Sequence, residues 1–296
     1  MEYLYLLFAM VFSAMLTVCG RVYNNKNAQR PNVSRLYNVI VPAGATLGWL
    51  VLYIIDFSFD PGVLIYSVGY GIFYTFFTIG MVGALKVGST SLTSLVKQVS
   101  LVGASVWGFF FWDVPFTIVS GVGIVCIVVS LCLCLLGTGK EKRSDSKGEA
   151  FRSILKWIPF ALLIAAGNAG CSIIQKYQQM AYAGQHKNML MLFGVFFSLI
   201  VSLVLAWRED RTYWRAALKD TWEFPCLAGL SSAISNVFVL LLVNSAMSPA
   251  VIYPGVAVGG LILTIFASRF LFRERLRPMQ WCGIAVGCVA LVLLNL

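Results

Sequence analysis

The stretch Gly137-Thr-Gly-Lys-Glu-Lys-Arg-Ser-Asp-Ser-Lys-Gly-Glu-Ala150 decides how this chain is read. It is polar, charged and rich in Gly and Ser, the composition of a mobile linker. It is the one clear linker in the 296 residues and divides them almost in half. Before it, apolar runs lie near residues 3–20, 36–55, 62–84, 88–111 and 115–136. After it they lie near 157–175, 188–206, 226–244, 249–271 and 279–295. Each run matches the roughly 20 residues that cross a bilayer as a helix. The sequence therefore predicts an all-α membrane protein of ten transmembrane helices. Residues 1–137 form a first five-helix repeat, 138–153 a cytoplasmic linker and 154–296 a second five-helix repeat. Five is odd, so the second repeat enters the membrane from the opposite side. Two inverted halves around a midplane site are the plan of a secondary transporter.

Composition agrees. The chain is 59% hydrophobic and 11% charged, with a mean hydropathy of +0.83, whereas a soluble domain is about a quarter charged. Helices are expected because lipid offers backbone groups no partners; the short alternating segments of a barrel are missing. The net charge of +10 does not form a nucleic-acid footprint, because the basic residues are spread over the loops. With the N-terminus placed on one side, 19 of the 22 Lys and Arg fall on the other, among them Arg21, Arg30, Lys142, Arg208, Arg211 and Arg275. The positive-inside rule makes that side cytoplasmic and puts both termini outside a cell membrane crossed many times. No cleavable signal peptide is expected, since Met1-Glu2 leads into the first apolar run without a basic region. The eight cysteines sit in or beside apolar spans without metal-type spacing and read as small hydrophobes.

The two halves repeat in layout more than in letters. A shift of 160 places Gly123-Ile124 on Gly283-Ile284, Phe110 on Phe270 and Val129 on Val289. A shift of 155 places Ser13 on Asn168 and Arg21 on Lys176. Small-residue pairs at helix-packing spacing, Gly44–Gly48, Gly255–Gly259 and Gly283–Gly287, serve either internal packing or a homodimer surface.

Ser248-Pro249-Ala250, then Phe272-Arg273-Glu274-Arg275-Leu276, then Gln280-Trp281-Cys282-Gly283 resemble the closing repeat of EamA-like drug/metabolite transporters. Gly88-Ser89-Thr90-Ser91-Leu92-Thr93, Trp112-Asp113 and Gly121–Gly123 are similar to a worn copy of the same pattern in the first half. Arg273 departs from it, standing where the family has Gly. The resemblance implies ten helices in two inverted repeats and carriage of small metabolites. External termini are a second departure, since family members are often described with internal ones.

The chemistry expected in the membrane is narrow. All 12 acidic residues, such as Asp56, Asp113 and Glu274, fall at span ends or in loops. Proton-coupled exchange of cations needs an intramembrane carboxylate. The first span, Leu6-Leu-Phe-Ala-Met-Val-Phe-Ser-Ala-Met15, lacks the Glu that the resembling small multidrug exporters carry there. Lys97 is instead the charge deep in a span, about ten residues from its start. A lysine at midplane costs at least ~2.5–3.5 kcal/mol, so a water-filled cavity, a bound anion or neutralisation must offset it. Thr90, Ser94, Lys97 and Ser105 give this helix a polar stripe. In the sugar-phosphate carriers of the same superfamily a lysine in the fourth helix holds the anionic group, and Ser94-Leu-Val-Lys97-Gln-Val-Ser100 is similar to that stretch.

Further candidates for the substrate site are Ser13 and Asn168, aligned in the two first helices. Asn236 and Thr75 fall within one residue of each other when the halves are overlaid. Each Asn serves either a solute or an interhelical hydrogen bond. Tyr70, Tyr74 and Tyr253 offer aromatic walls with a polar tip, or ordinary packing. Pro254 is a candidate hinge. His186, alone of its kind, sits in a loop, and no phosphate-binding loop or catalytic constellation is present in the sequence. The expectation is a cofactor-free secondary active transporter, not an enzyme, moving a small polar metabolite by alternating access. Its cargo carries an anionic or zwitterionic group, as an amino acid or organic acid does. The alternative is a non-transporting membrane scaffold or a membrane enzyme.

Overall fold

A computed structural model describes residues 1–30, 33–87, 90–112, 117–136, 147–207, 211–272 and 278–295. Among the described residues all regular structure is helical: α1 (Glu2–Lys26), α2 (Val33–Ile55), α3 (Val63–Val87), α4 (Thr90–Phe111), α5 (Ile118–Leu136), α6 (Lys147–Ala181), α7 (Lys187–Trp207), α8 (Trp214–Thr221), α9 (Glu223–Val243), α10 (Pro249–Phe272) and α11 (Pro278–Asn295). Six of them, α1, α2, α3, α6, α7 and α9, contain segments long and apolar enough to cross a membrane, and shorter apolar helices span 118–130, 251–264 and 281–290. The chain is a multi-pass membrane protein.

Each of the ten apolar runs coincides with one helix to within a few residues, apart from α1, which continues six residues beyond its run, and α6. That helix begins at Lys147, inside the stretch expected as linker, and residues 137–146 lie outside the described ones. The eight-residue α8 falls in what the sequence reads as a loop. Glycine and β-branched residues are poor helix formers in water, yet α3 and α5 are rich in them. Backbone groups in hydrocarbon must bond within their own segment, which overrides propensity. Large apolar side chains such as Ile54, Phe110, Val125 and Trp207 stay exposed on the outside, as a lipid-facing surface requires.

Packing runs mainly between the halves rather than within them. α3 lies against α6 and α7, while α1 lies against α9 and α10. α2 packs on α7 and α9, α4 on α6 and α10, and α5 on α11. Small residues allow the closest crossings. A Cβ on Gly229 would strike the Val41 carbonyl oxygen, with the Gly44 Cα 3.1 Å away, at the α2–α9 crossing. At the α3–α7 crossing, a Cβ on Gly71 would come 2.6 Å from the Gly194 carbonyl oxygen. Gly255 and Gly259 face Leu6 and Met10 of α1, and Gly287 faces Ser130 and Val258. These glycines are therefore occupied inside the chain. Trp49, Tyr70 and the run Met189–Leu192 fill the core between α2, α3 and α7.

Candidate functional site

Six helices, α1, α3, α4, α6, α9 and α10, leave a cavity of about 90 Å³ between them, room for several waters. Lys97 reaches it from α4, seven residues into the helix or about 10 Å along it. Its residue is only 5% exposed. The Lys97 Nζ donates to Thr17 Oγ1 at 3.0 Å, and that hydroxyl donates to the Ser13 carbonyl at 3.2 Å. An ammonium has three donors, so one is used within the chain. Among the described residues none that lines the cavity is acidic, and no carboxylate pairs with Lys97.

Lys97 is also the joint between α4 and α6. Asn168 donates both amide protons across it, to the Lys97 carbonyl at 2.9 Å and to Ser100 Oγ at 2.8 Å. Ser100 Oγ itself donates to the Lys97 carbonyl at 2.6 Å. The cation is thus carried on a backbone segment tied sideways to a second helix.

The opposite wall is neutral and polar. Gln175 Nε2 donates to Asn236 Oδ1 at 3.1 Å and to Met191 Sδ at 3.3 Å. Asn236 Nδ2 donates to the Ser232 carbonyl at 2.8 Å. Tyr74 OH and Ser232 Oγ lie 3.5 Å apart, and Ser235 Oγ donates to the Ala9 carbonyl at 3.0 Å. Tyr253 OH donates to the Ser172 carbonyl at 3.2 Å, joining α10 to α6. Tyr70 and Tyr74 stack with their ring centroids 5.9 Å apart, forming an aromatic wall.

The structure brings Ser13, Tyr70, Tyr74, Lys97, Asn168, Asn236 and Tyr253 into this one cavity. The side chains of Ser94, Thr90, Ser105 and Pro254 lie outside those described, as do residues 273–277 with Glu274. Thr75 points elsewhere: its hydroxyl donates to Ser198 Oγ of α7 at 3.0 Å and to the Gly71 carbonyl. Sequence reasoning missed Thr17, Ser172, Gln175, Ser232 and Ser235. A signal existed for Ser172 and Gln175, because Asn168, Ser172, Gln175 and Gln179 recur every three or four residues along α6. Chemically, the site offers one cation, amide and hydroxyl groups and aromatic faces, with no acid, base or metal-binding cluster among the described residues. The cavity is thus polar and carries a single lysine among its described lining residues.

No protein-family model matches the chain. A stretch of 83 residues, 28% of the chain, is 31% identical to the Probable 4-amino-4-deoxy-L-arabinose-phosphoundecaprenol flippase subunit ArnE of Pseudomonas savastanoi pv. phaseolicola, covering 69% of that protein. A solved crystal structure, described only as "Crystal structure of protein", superposes with a TM-score of 0.62 over 99% of this chain and 95% of its own, at 11% identity. That likeness is one of fold. The relative is a flippase subunit, so its role is transport rather than enzyme catalysis. The chain belongs to the drug/metabolite transporter superfamily together with that subunit, and is a membrane transporter or flippase of that kind.

Proposed function

We propose that this chain is an EamA-like secondary transporter of ten membrane-spanning helices, arranged as two inverted five-helix halves that expose a midplane site alternately to either side. Its substrate is a small polar metabolite with an anionic or zwitterionic group, such as an amino acid or organic acid. The observation that carries the reading is Lys97: a buried cation lining a polar cavity with no carboxylate among its described lining residues. An ammonium in a bilayer needs an anion or water to offset its desolvation, and the cavity has room for either. The substrate's anionic group would sit at Lys97, its other polar groups at Asn236, Gln175 and Ser232, and its apolar part against Tyr70 and Tyr74.

The helix pairing supports the inverted halves. Exchange α1 with α6, α2 with α7, α3 with α9, α4 with α10 and α5 with α11. The pair α3–α6 then becomes α9–α1, α3–α7 becomes α9–α2, and α4–α6 becomes α10–α1, all of which occur. The pairs α2–α7, α4–α10 and α5–α11 map onto themselves.

A second reading follows from the relative's name. The cargo would be lipid-linked, with only a polar phosphate-bearing head passing the cavity. Proteoliposome measurements separate the two. Uptake of a labelled amino or organic acid, lost in Lys97→Gln, supports the first. Transbilayer movement of a lipid-linked phosphate probe, with no flux across a broad panel of soluble metabolites, overturns it in favour of the second.

A further inference from the structure

α8 joins α7 to α9, two helices with the length and apolarity to cross a bilayer. A short helix between two span ends lies at the membrane surface by connection alone. Ala217 and Thr221 form its buried face. Ala217 packs with Tyr23, Val33 and Leu36, and Thr221 Oγ1 accepts a hydrogen bond from Asn27 Nδ2 at 3.0 Å. Arg30 holds Asp220 at 2.5 Å. These ties to the α1–α2 turn fix the rotation of α8 about its axis, and so decide where its other faces point.

Two stripes remain open. Leu218 and Trp222, next to the buried face, are exposed. Beside them Arg215 and Lys219, one turn apart, are exposed too. The Arg211 guanidinium lies over the Trp207 and Trp214 rings, 5.6 and 5.5 Å from their centroids. Among the described residues none of the three cations meets a carboxylate: Arg30 takes Asp220, and Glu223 makes no ion pair. An apolar stripe bordered by a basic one is the pattern of a helix lying in the plane of the interface. Tryptophan rings stand at headgroup level, so Arg211 is held where lipid phosphates are.

We infer that α8 with Arg211 is a docking surface for anionic phospholipid headgroups. Leu218 and Trp222 dip into the acyl boundary, and Arg211, Arg215 and Lys219 meet headgroup phosphates. The surface is independent of the central cavity, and it shares its side of the membrane with most of the chain's basic loops. Anionic lipids concentrate in the cytoplasmic leaflet, which matches the side the positive-inside rule assigns.

The test titrates full-length protein in neutral detergent with phosphatidylglycerol, with phosphatidylcholine of the same chains and with inorganic phosphate, reading thermal stability. Phosphatidylglycerol should raise the melting midpoint, less so as salt rises, and the other two should not. Arg211→Gln/Arg215→Gln/Lys219→Gln should weaken the apparent affinity for phosphatidylglycerol about a hundredfold, at roughly fivefold per cation. The double Lys variant, Arg211→Lys/Arg215→Lys with Lys219 kept, should retain it. Equal responses to both lipids would show a purely apolar annulus, and an equal response to inorganic phosphate would show a free-anion site; either overturns the inference. So does an undiminished response in the Gln variant. Should that variant melt early without lipid, loss of response in the well-folded Lys variant overturns it as well.

Discussion

Replacing Lys97 with Met keeps the length of the side chain and removes its charge, and two effects of opposite sign follow. In the unliganded protein the ammonium has Thr17 Oγ1 as its hydrogen-bond partner and no paired carboxylate among the described residues. A lysine at this depth costs ~2.5–3.5 kcal/mol, and the Thr17 hydrogen bond returns about 1 kcal/mol. Met should therefore relieve about 1.5–2.5 kcal/mol and raise the unliganded melting midpoint by about 2–4 °C. In the complex, removing one partner of a desolvated charge pair costs about 3–5 kcal/mol. Affinity for the anionic substrate should fall roughly 10²- to 10⁴-fold. The assay is paired: melting of purified protein without solute, then binding and proteoliposome flux of the solute that stabilises the wild type. A Lys97→Met protein that melts earlier but binds and transports normally would show that the lysine serves the α4 scaffold, and the reasoning fails.

Gly229→Ala should cost about 1–3 kcal/mol and lower the melting midpoint, because the new methyl meets the Val41 carbonyl oxygen and the Ala45 nitrogen at 3.0 Å; an unchanged midpoint contradicts the close α2–α9 crossing. Gln175→Leu and Asn236→Leu should each destabilise, and the double variant by less than their sum, with a coupling of roughly 0.5–3 kcal/mol; strict additivity would mean the α6–α9 amide tie does not form. A C-terminal alkaline phosphatase fusion should be active and a C-terminal fluorescent protein dark, as both termini outside require; the reverse pattern inverts the orientation.

The helices were legible because a membrane span needs about twenty apolar residues and this chain marks each run with polar ends. α8 was not: eight residues carrying Arg215, Lys219 and Asp220 look like a loop until Ala217 finds its seat on Tyr23 and Leu36. Seven of the residues named for the site line the cavity. Six of them could be read because a Lys, Asn or Tyr inside an apolar run must meet a partner somewhere, and Ser13 through its alignment with Asn168. Thr17 and Ser235 could not be read the same way. Ser and Thr hydroxyls can bond a carbonyl one turn back, as Thr17 does to Ser13, so they carry no visible debt to a cavity. Thr75 shows the resolution of a repeat alignment. It falls within one residue of Asn236, and a slip of one residue turns a helical side chain by about 100°; Thr75 faces Ser198 instead.

The helix pairing survives exchange of the halves, and the chemistry of the cavity does not. Under the repeat alignment Lys97 corresponds to Ala257, Gln175 to Gly20 and Asn236 to Phe76. The amide tie between α6 and α9 thus has no counterpart between α1 and α3, where Gly20 faces the Tyr37 hydroxyl of α2. Two consequences follow for the proposed carrier. Its cation travels with one half only, so the solute's anionic group stays anchored to α4 as the halves exchange roles. The conformation in which Gln175 bonds Asn236 is held by polar ties that its inverted partner lacks, so the two states differ in energy by what those ties contribute, about 1 kcal/mol for each net hydrogen bond. Gln175→Leu should then shift the unliganded population toward the opposite-facing state, measured as altered labelling of single cysteines placed at the two cavity mouths. An unchanged labelling ratio would mean that the α6–α9 tie does not bias the exchange.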